Sequence, residues 1–488
     1  MRSEPYEVKR TVRTEKTQAE LDFIDIDTAR DTPLYLDPHL IGASQHPFAE
    51  QCHSTISSFF SVFLALIGDG AKEQARELFS NLDEPNETCL GSSKGPPRGR
   101  GVGGENADDI FASVLNSRAI ETGVLDHLED FRIFVHGVGK DKVSDMTTNI
   151  IRANLIEYTH TQCDLHGIAM TNDVPTGAYW VPETRQWEWS HDRMLIVDGL
   201  PILLVPKCIV SYCRAYSTDI YHRHFILNFV RREQLATNGP FVQHRKAKKG
   251  QKVGVAFVTD KDMKVKYPAQ KDFIAGFTQL HRDVFKEFRD ATTKTAKPLD
   301  NMDIGAANIP DICLYLATKL KDTPSGNDAA TAYHHLIIGI LELIFYPTLA
   351  CPRKEAEIHD GRKRIDIVFD NAARDGEFHR LAARKIPANY IVVECKNYGK
   401  DVKNPELDQL TGRFSFKRGQ FGMLVCRSVK DYKALIKRCQ DAFKDDRGLI
   451  IPILDDDLID LLEKKAADPT GRPEENFIRD RIREVAFS

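Results

Sequence analysis

Residues 390–397, Tyr-Ile-Val-Val-Glu-Cys-Lys-Asn, constrain this chain more than any other stretch. Strand side chains alternate between faces, so Val392, Glu394 and Lys396 fall on one face and Ile391, Val393 and Cys395 on the other. A carboxylate and an ammonium therefore stand side by side on an otherwise apolar strand. Residues 364–369, Arg-Ile-Asp-Ile-Val-Phe, alternate in the same way, with Asp366 and Val368 sharing a face. Asp360-Gly361 is a favoured two-residue hairpin turn, which predicts pairing of 364–369 with a strand over 354–358. A long apolar helix over 328–346 precedes the hairpin. After an insertion and the strand 390–397 come a helix over 405–416 and a strand over 421–427.

The first of these helices carries a third acid. Glu342 sits among Ile338, Ile340, Leu341, Leu343, Ile344 and Phe345, which leave the helix almost no polar side at that level. A lone carboxylate in such surroundings costs roughly several kcal/mol, or is held neutral, unless a cation or donors meet it. The sequence therefore predicts a charged group opposite Glu342.

In order, the chain presents Glu342, Asp366, Glu394-x-Lys396 and Gln409 on a helix, a hairpin, a strand and a helix. This series resembles the PD-(D/E)XK nuclease superfamily, and the resemblance covers roughly residues 325–465, about a third of the chain. Ile365 stands where the name-giving motif has Pro. Gln409-Leu-Thr-Gly-Arg-Phe414 is similar to the Gln-x-x-x-Tyr element of the RecB-like branch, with Arg413 in the Tyr position. The resemblance implies a restriction-endonuclease-like core and a metal-dependent endonuclease. Asp366 and Glu394 would be its Mg²⁺ ligands, with Mn²⁺ able to substitute, and the backbone carbonyl of Cys395 a further ligand. Glu342 would hold a metal-bound water or a second ion, Lys396 would position or deprotonate the attacking water, and Gln409 would orient Lys396 or that water. One or two carboxylates suit Mg²⁺, which keeps most of its waters and stabilises the charge that builds up in phosphodiester hydrolysis.

At 488 residues the chain is long enough for two or three domains. The expected architecture is α/β: an N-terminal α/β domain of unknown family over 1–300, a linker with a short helix over 301–326, the nuclease-like domain over 327–467 as a mixed sheet flanked by helices, and a polar tail over 468–488. A hydrophobic content of 42% and a net charge of −4 suit a globular protein with no overall attraction to nucleic acid, so any binding surface must be local. Ten scattered cysteines lack a Cys-x-x-Cys pair or zinc-module spacing, and read as free thiols in a reducing cytosol. The N-terminus lacks an apolar core behind its charges, and the longest apolar run, 59–67, is too short to span a bilayer. The expectation is a cytoplasmic protein without a membrane segment.

Within the first 300 residues, 49–82 has helical periodicity broken at Gly68-Asp69-Gly70, 131–138 reads as a strand, 146–162 as a helix with Ser144 or Asp145 as cap, 194–207 as an apolar strand, and 272–289 as one helix. The glycine-rich stretch 91–104 reads as a loop or as a phosphate contact through Lys94, Arg98 and Arg100. Asp141 and Asp145, with His136, are either helix-start acids or metal ligands. The same choice arises at Asp455-Asp456-Asp457, where the capping reading is preferred. Residues 244–252 carry five Lys/Arg, so Arg245, Lys246, Lys248, Lys249 and Lys252 form either a nucleic-acid contact or a solvated loop.

Together these features predict a nuclease acting on nucleic acid, DNA before RNA, with a homo-oligomer or partner protein engaged through the N-terminal domain. A large accessory domain on a small hydrolytic core suits a restriction or antiviral defence effector. Two alternatives stand beside it: a catalytically inactive nuclease-like module that binds nucleic acid or protein, and an RNA-cleaving effector controlled by the N-terminal domain.

Overall fold

The computed structural model describes residues 16–92, 103–245, 255–305, 308–354, 367–397 and 404–486. Helix α1 (Ala330–Phe345) is buried from Leu336 to Phe345, as its nearly uninterrupted apolar composition requires. It leads into a five-stranded sheet built from β1 (Leu349–Arg353), β2 (Ile367–Asn371), β3 (Tyr390–Lys396), β4 (Phe421–Cys426) and β5 (Leu449–Leu454), in the spatial order β5-β4-β3-β2-β1. The β1–β2 and β2–β3 pairs are antiparallel, whereas β3–β4 and β4–β5 are parallel. The helices α2 (Gly376–Ala383), α3 (Asn404–Thr411) and α4 (Tyr432–Lys444) connect the strands after β2, β3 and β4, and α5 (Asp455–Ala467) and α6 (Pro473–Ala486) follow β5. Parallel strands need such crossovers, and β4 is buried at every residue.

The first half of the chain is mostly helical. A 22-residue helix, Pro47–Gly68, is followed by Lys72–Phe79, and the break falls at Gly68-Asp69-Gly70 as expected. An aromatic cluster of Phe60, Phe63, Phe79 and Phe131 fills its centre, and Phe59 packs edge-on against Trp180 and Trp187. A long hairpin, Thr171–Val181 with Gln186–Val197, continues through a turn into a short strand at Leu200–Ile202. Among the described residues, and by length and composition alone, two helical segments, Pro47–Gly68 and Asn327–Phe345, are long and apolar enough to cross a membrane.

Two buried apolar clusters organise the molecule. One draws on residues 21–288, and the other on 309–485. They interlock at β1, whose Ala350 and Cys351 belong to the first cluster while Leu349 belongs to the second. Ala19 and Leu165 cross in the opposite direction.

Several expectations are corrected. Residues 131–138 form no strand: Asp130–Phe134 is a short helix, because an apolar β-branched run does not by itself separate a strand from a buried helical turn. The helix expected over 146–162 is two, Lys140–Ile150 and Arg152–His166, and it begins early enough to put Asp145 in its second turn. Neither Asp145 nor Ser144 caps it; Gly139 holds that position, and Ser144 Oγ accepts from Leu36 N–H at 3.0 Å. Residues 272–289 are split at His281 into Lys271–Leu280 and Arg282–Thr295. The apolar run 194–207 is the end of one hairpin strand, a turn and a short strand. The helix in the expected linker, Ile309–Asp322, packs on α5, and α6 buries Ile478, Ile482 and Val485 in the same core, so neither segment is peripheral. The strand before the hairpin is β1, several residues earlier than expected, and 354–358 with the Asp360-Gly361 turn lies almost wholly outside the described residues. The capping reading of the acidic triplet holds through Asp457, which accepts from Leu454 N–H at 2.8 Å, while Asp455 instead receives the Tyr333 hydroxyl at 2.8 Å and pairs with Arg427 at 3.1 Å.

Candidate active site

Strand β3 places Glu394 and Lys396 two residues apart, hence on one face. Lys396 Nζ donates to Glu394 Oε1 at 2.5 Å and to Gln409 Oε1 on α3 at 3.4 Å. The second oxygen of Glu394 meets Arg413, just past the end of α3, in an ion pair whose two side chains are each 1% exposed. The carboxylate is thus held between two cations, and the Lys396 side chain, 16% exposed, is the more open of the two. Buried charges persist only when paired in this way.

The turn carrying Arg413 is fixed by its neighbour. A Cβ on Gly422 of β4 would lie 2.8 Å from Phe414 Cζ, and one on Gly448 would lie 2.3 Å from Phe414 Cδ2. Glycine at both positions leaves a slot for the Phe414 ring, and Gly448 also holds a positive φ of 113°. Arg447 ties α3 down by donating to Asp408 Oδ1 at 2.5 Å and Thr411 Oγ1 at 2.7 Å. At the end of β3, Asn397 Nδ2 donates to Gly326 O at 2.9 Å, and Gly326 N–H donates back to Asn397 O at 2.8 Å. Lys396 therefore sits on a strand anchored on both sides.

Of the residues singled out from sequence, Glu394, Lys396 and Gln409 come together. Asp366 lies outside the described residues; Ile367, which follows it, pairs with Val393, which precedes Glu394. Cys395 is half-buried and pairs with Val425 in the parallel ladder. Lys246, Lys248, Lys249 and Lys252 lie outside the described residues, as do Lys94, Arg98 and Arg100. Arg245 is exposed, with its guanidinium 5.3 Å from the Phe257 ring centroid. His136 pairs with Asp272 at 3.2 Å instead of joining Asp141 and Asp145.

Glu342 is placed elsewhere. It is 1% exposed, and among the described residues neither carboxyl oxygen has a hydrogen-bond partner. Burial raises its carboxyl well above the usual range; nearby Asp22 adds to this, and Lys207 and Lys16 oppose it. The predicted charged group opposite Glu342 is therefore present, but it comes from the first half of the chain and not from the Glu394 group. Lys207 is fully buried, donates to Asn301 Oδ1 at 2.9 Å, and stands 4.0 Å from the Tyr346 ring centroid. Burial lowers its ammonium, with Glu342 and Asp22 pulling the other way. Beside this seam Asp22 accepts from the Tyr158 hydroxyl at 2.6 Å and from Cys351 N–H at 3.1 Å.

Two features escaped the sequence reading. Arg413 is the second partner of Glu394, and its signal was an arginine in the tyrosine position of the Gln-x-x-x-Tyr-like element. The other is a buried group of His46, Cys208 and Cys351, drawn from three distant segments that no local spacing rule connects.

Residues 13–217 match a family model described as a domain of unknown function (DUF8370). The match includes His46, Lys207 and Cys208 and stops well before the five-stranded sheet. No curated protein and no solved structure matches the chain.

Proposed function

We propose that the chain is a metal-dependent nuclease whose active site is built around Glu394 and Lys396. The observation that carries this reading is Lys396 Nζ lying between Glu394 Oε1 and Gln409 Oε1 at the end of a central strand. The order of elements supports it: an apolar helix, three antiparallel strands, a helix, and a parallel strand. The donors suit a hard cation, since Glu394 is a buried carboxylate and the described β2–β3 ladder ends one residue short of both Asp366 and Glu394. Glu394, Asp366 and the carbonyl of Cys395 would hold Mg²⁺ or Mn²⁺. Such an ion, when bound, acts as a Lewis acid toward a phosphate oxygen and acidifies water.

The chain's own residues do the rest. Lys396 orients the attacking water through its ammonium, or takes the water's proton once that ammonium has given its own to solvent, and Gln409 fixes the Lys396 nitrogen through its amide oxygen. Arg413 keeps the Glu394 carboxylate in place from the buried side. Glu342 has no part in this set, because its charged neighbours are Asp22, Lys207 and Lys16. DNA is the preferred substrate and RNA the alternative, with the first half of the chain serving recognition, regulation or assembly in a cytoplasmic defence effector.

One observation favours a second reading. Lys396 and Arg413 both pair with the single carboxylate of Glu394, which leaves the group net positive, as would suit a nuclease-like module that binds a phosphate backbone without cutting. Plasmid, linear duplex, single-stranded DNA and RNA incubated with Mg²⁺ or Mn²⁺ separate the two. Cleavage that is abolished by EDTA and by Lys396→Ala supports the enzyme, whereas full cleavage by Lys396→Ala, or none by the wild type on any substrate, removes it.

A further inference from the structure

We propose that His46, Cys208 and Cys351 form a buried site for a soft divalent transition metal, Zn²⁺ first, which fastens the first half of the chain to the edge strand of the five-stranded sheet. The ligand atoms of the three residues all lie within 4.8 Å of one another, and all three residues are buried. Cys208 Sγ and Cys351 Sγ are 3.9 Å apart. Two thiolates on one tetrahedral zinc, with Zn–S bonds of about 2.3 Å, stand about 3.8 Å apart. The pair already has the separation a metal would impose, and it is far too wide for a disulfide bond of about 2.05 Å.

The imidazole is prepared for the same task. His46 Nδ1 accepts from Ala49 N–H at 3.4 Å and lies 3.7 Å from Asp370 Oδ2, and the buried imidazole also interacts with the Cys208 thiol. An imidazole already turned toward one of two adjacent buried thiols is placed to share an ion with them, and a nearby carboxylate helps to orient the ring. Asp370 is itself held, fully buried, by Phe48 N–H at 3.0 Å and Arg353 at 3.1 Å.

The backbone at Cys351 is bent to deliver its sulfur. Cys351 has φ 50°, in the left-handed region that non-glycine residues rarely enter, and it lies where the β1–β2 register shifts between Ala350 and Arg353. Its N–H is satisfied outside the sheet by Asp22. Strain at a residue that also presents a ligand atom is what a site imposed on the fold produces.

Two thiolates and one imidazole select soft or borderline ions over Mg²⁺ or Ca²⁺. Binding Zn²⁺ would release the two thiol protons to solvent and leave a complex of zero net charge, which suits an interior position. The fourth position would fall to water. Because His46 starts the helix Pro47–Gly68, Cys208 follows the hairpin segment and Cys351 lies on β1, one ion would join three parts of the chain that are distant in sequence.

The test uses the full-length chain purified from zinc-supplemented cells. Elemental analysis is expected to find about one zinc per chain, falling to near zero in Cys208→Ala and in Cys351→Ala and unchanged in Cys89→Ala. Replacement by Co²⁺ is expected to give thiolate-to-cobalt charge-transfer absorption. Wild-type protein that holds no zinc and gives no such absorption overturns the proposal, even if the variants fail to fold. So does a mass lower by two hydrogens, with eight titratable thiols in place of ten in the unfolded, unreduced chain. None of these readouts involves nucleic-acid cleavage, so the proposed nuclease activity stands or falls separately.

Discussion

Arg413 and Glu394 form an ion pair sealed from solvent, reached from opposite directions: the acid from a central strand and the guanidinium from the turn after α3. Removing Arg413 leaves the buried Glu394 carboxylate with Lys396 as its remaining cation. Arg413→Leu is expected to cost about 1.5–3 kcal/mol in denaturant unfolding, and Arg413→Lys less than Arg413→Leu. A loss below about 1 kcal/mol for Arg413→Leu would show that the pair adds nothing to stability.

The slot for Phe414 makes a second prediction. A methyl group on Gly422 would meet Phe414 Cζ at 2.8 Å and Leu410 Cδ2 at 3.2 Å. The ring is stiff and the strand is central, so Gly422→Ala is expected to destabilise by about 1–3 kcal/mol and to shift the Arg413 turn. Gly305→Ala, at a position with no atom within 4 Å, is the matched control. Equal unfolding midpoints for the two variants would argue against the slot.

Glu342 is expected to behave as a neutral group. Burial, and after it Asp22, holds its carboxyl well above the usual range, with Lys207 and Lys16 in opposition. A carboxyl raised in the folded state contributes stability below its unfolded pKa of about 4.3, and that contribution is lost as pH rises through the folded value. Glu342→Gln is therefore expected to match the wild type near pH 4 and to exceed it at pH 7–8 by about 1–2 kcal/mol. The proposed nuclease activity is expected to be unchanged in this variant. Loss of cleavage in this variant would return Glu342 to the active site.

Asp145 makes the same argument with a value attached. Burial comes first, and Asp141, Glu84 and Asp31 add to it, raising the carboxyl to about 8. Its contribution to stability is complete below about pH 4, shrinks as pH rises from there, and is gone above about 8. Asp145→Asn is expected to gain on the wild type steadily between pH 5 and pH 8, by on the order of 1 kcal/mol. Thermal melts at pH 5, 6, 7 and 8 measure it, and a difference that stays constant across the series would sink the assignment.

How much of this could be read from the chain depended on distance along it. The helix–strand–helix order of 327–465 was legible because periodicity is local, and so was the Glu394–Lys396–Gln409 cluster, whose members lie within sixteen residues. The capping role of Asp457 was legible for the same reason. The partners of Glu342 were not, because Lys16, Asp22 and Lys207 reach it only through folding. Residues 131–138 were misread because Phe, Ile and Val in a short run serve a strand and a buried helical turn equally. Asp145 was misread because the helix starts at Lys140, at a glycine that offers no side-chain cap.

Helix α6 supplies Ile478, Ile482 and Val485 to the same apolar cluster that holds β5. Strand β5 closes one edge of the sheet, two strands away from the β3 residues Glu394 and Lys396. A polar substitution on this face of α6 therefore reaches Glu394 and Lys396 only through the stability of the sheet they stand on, with no direct contact between them.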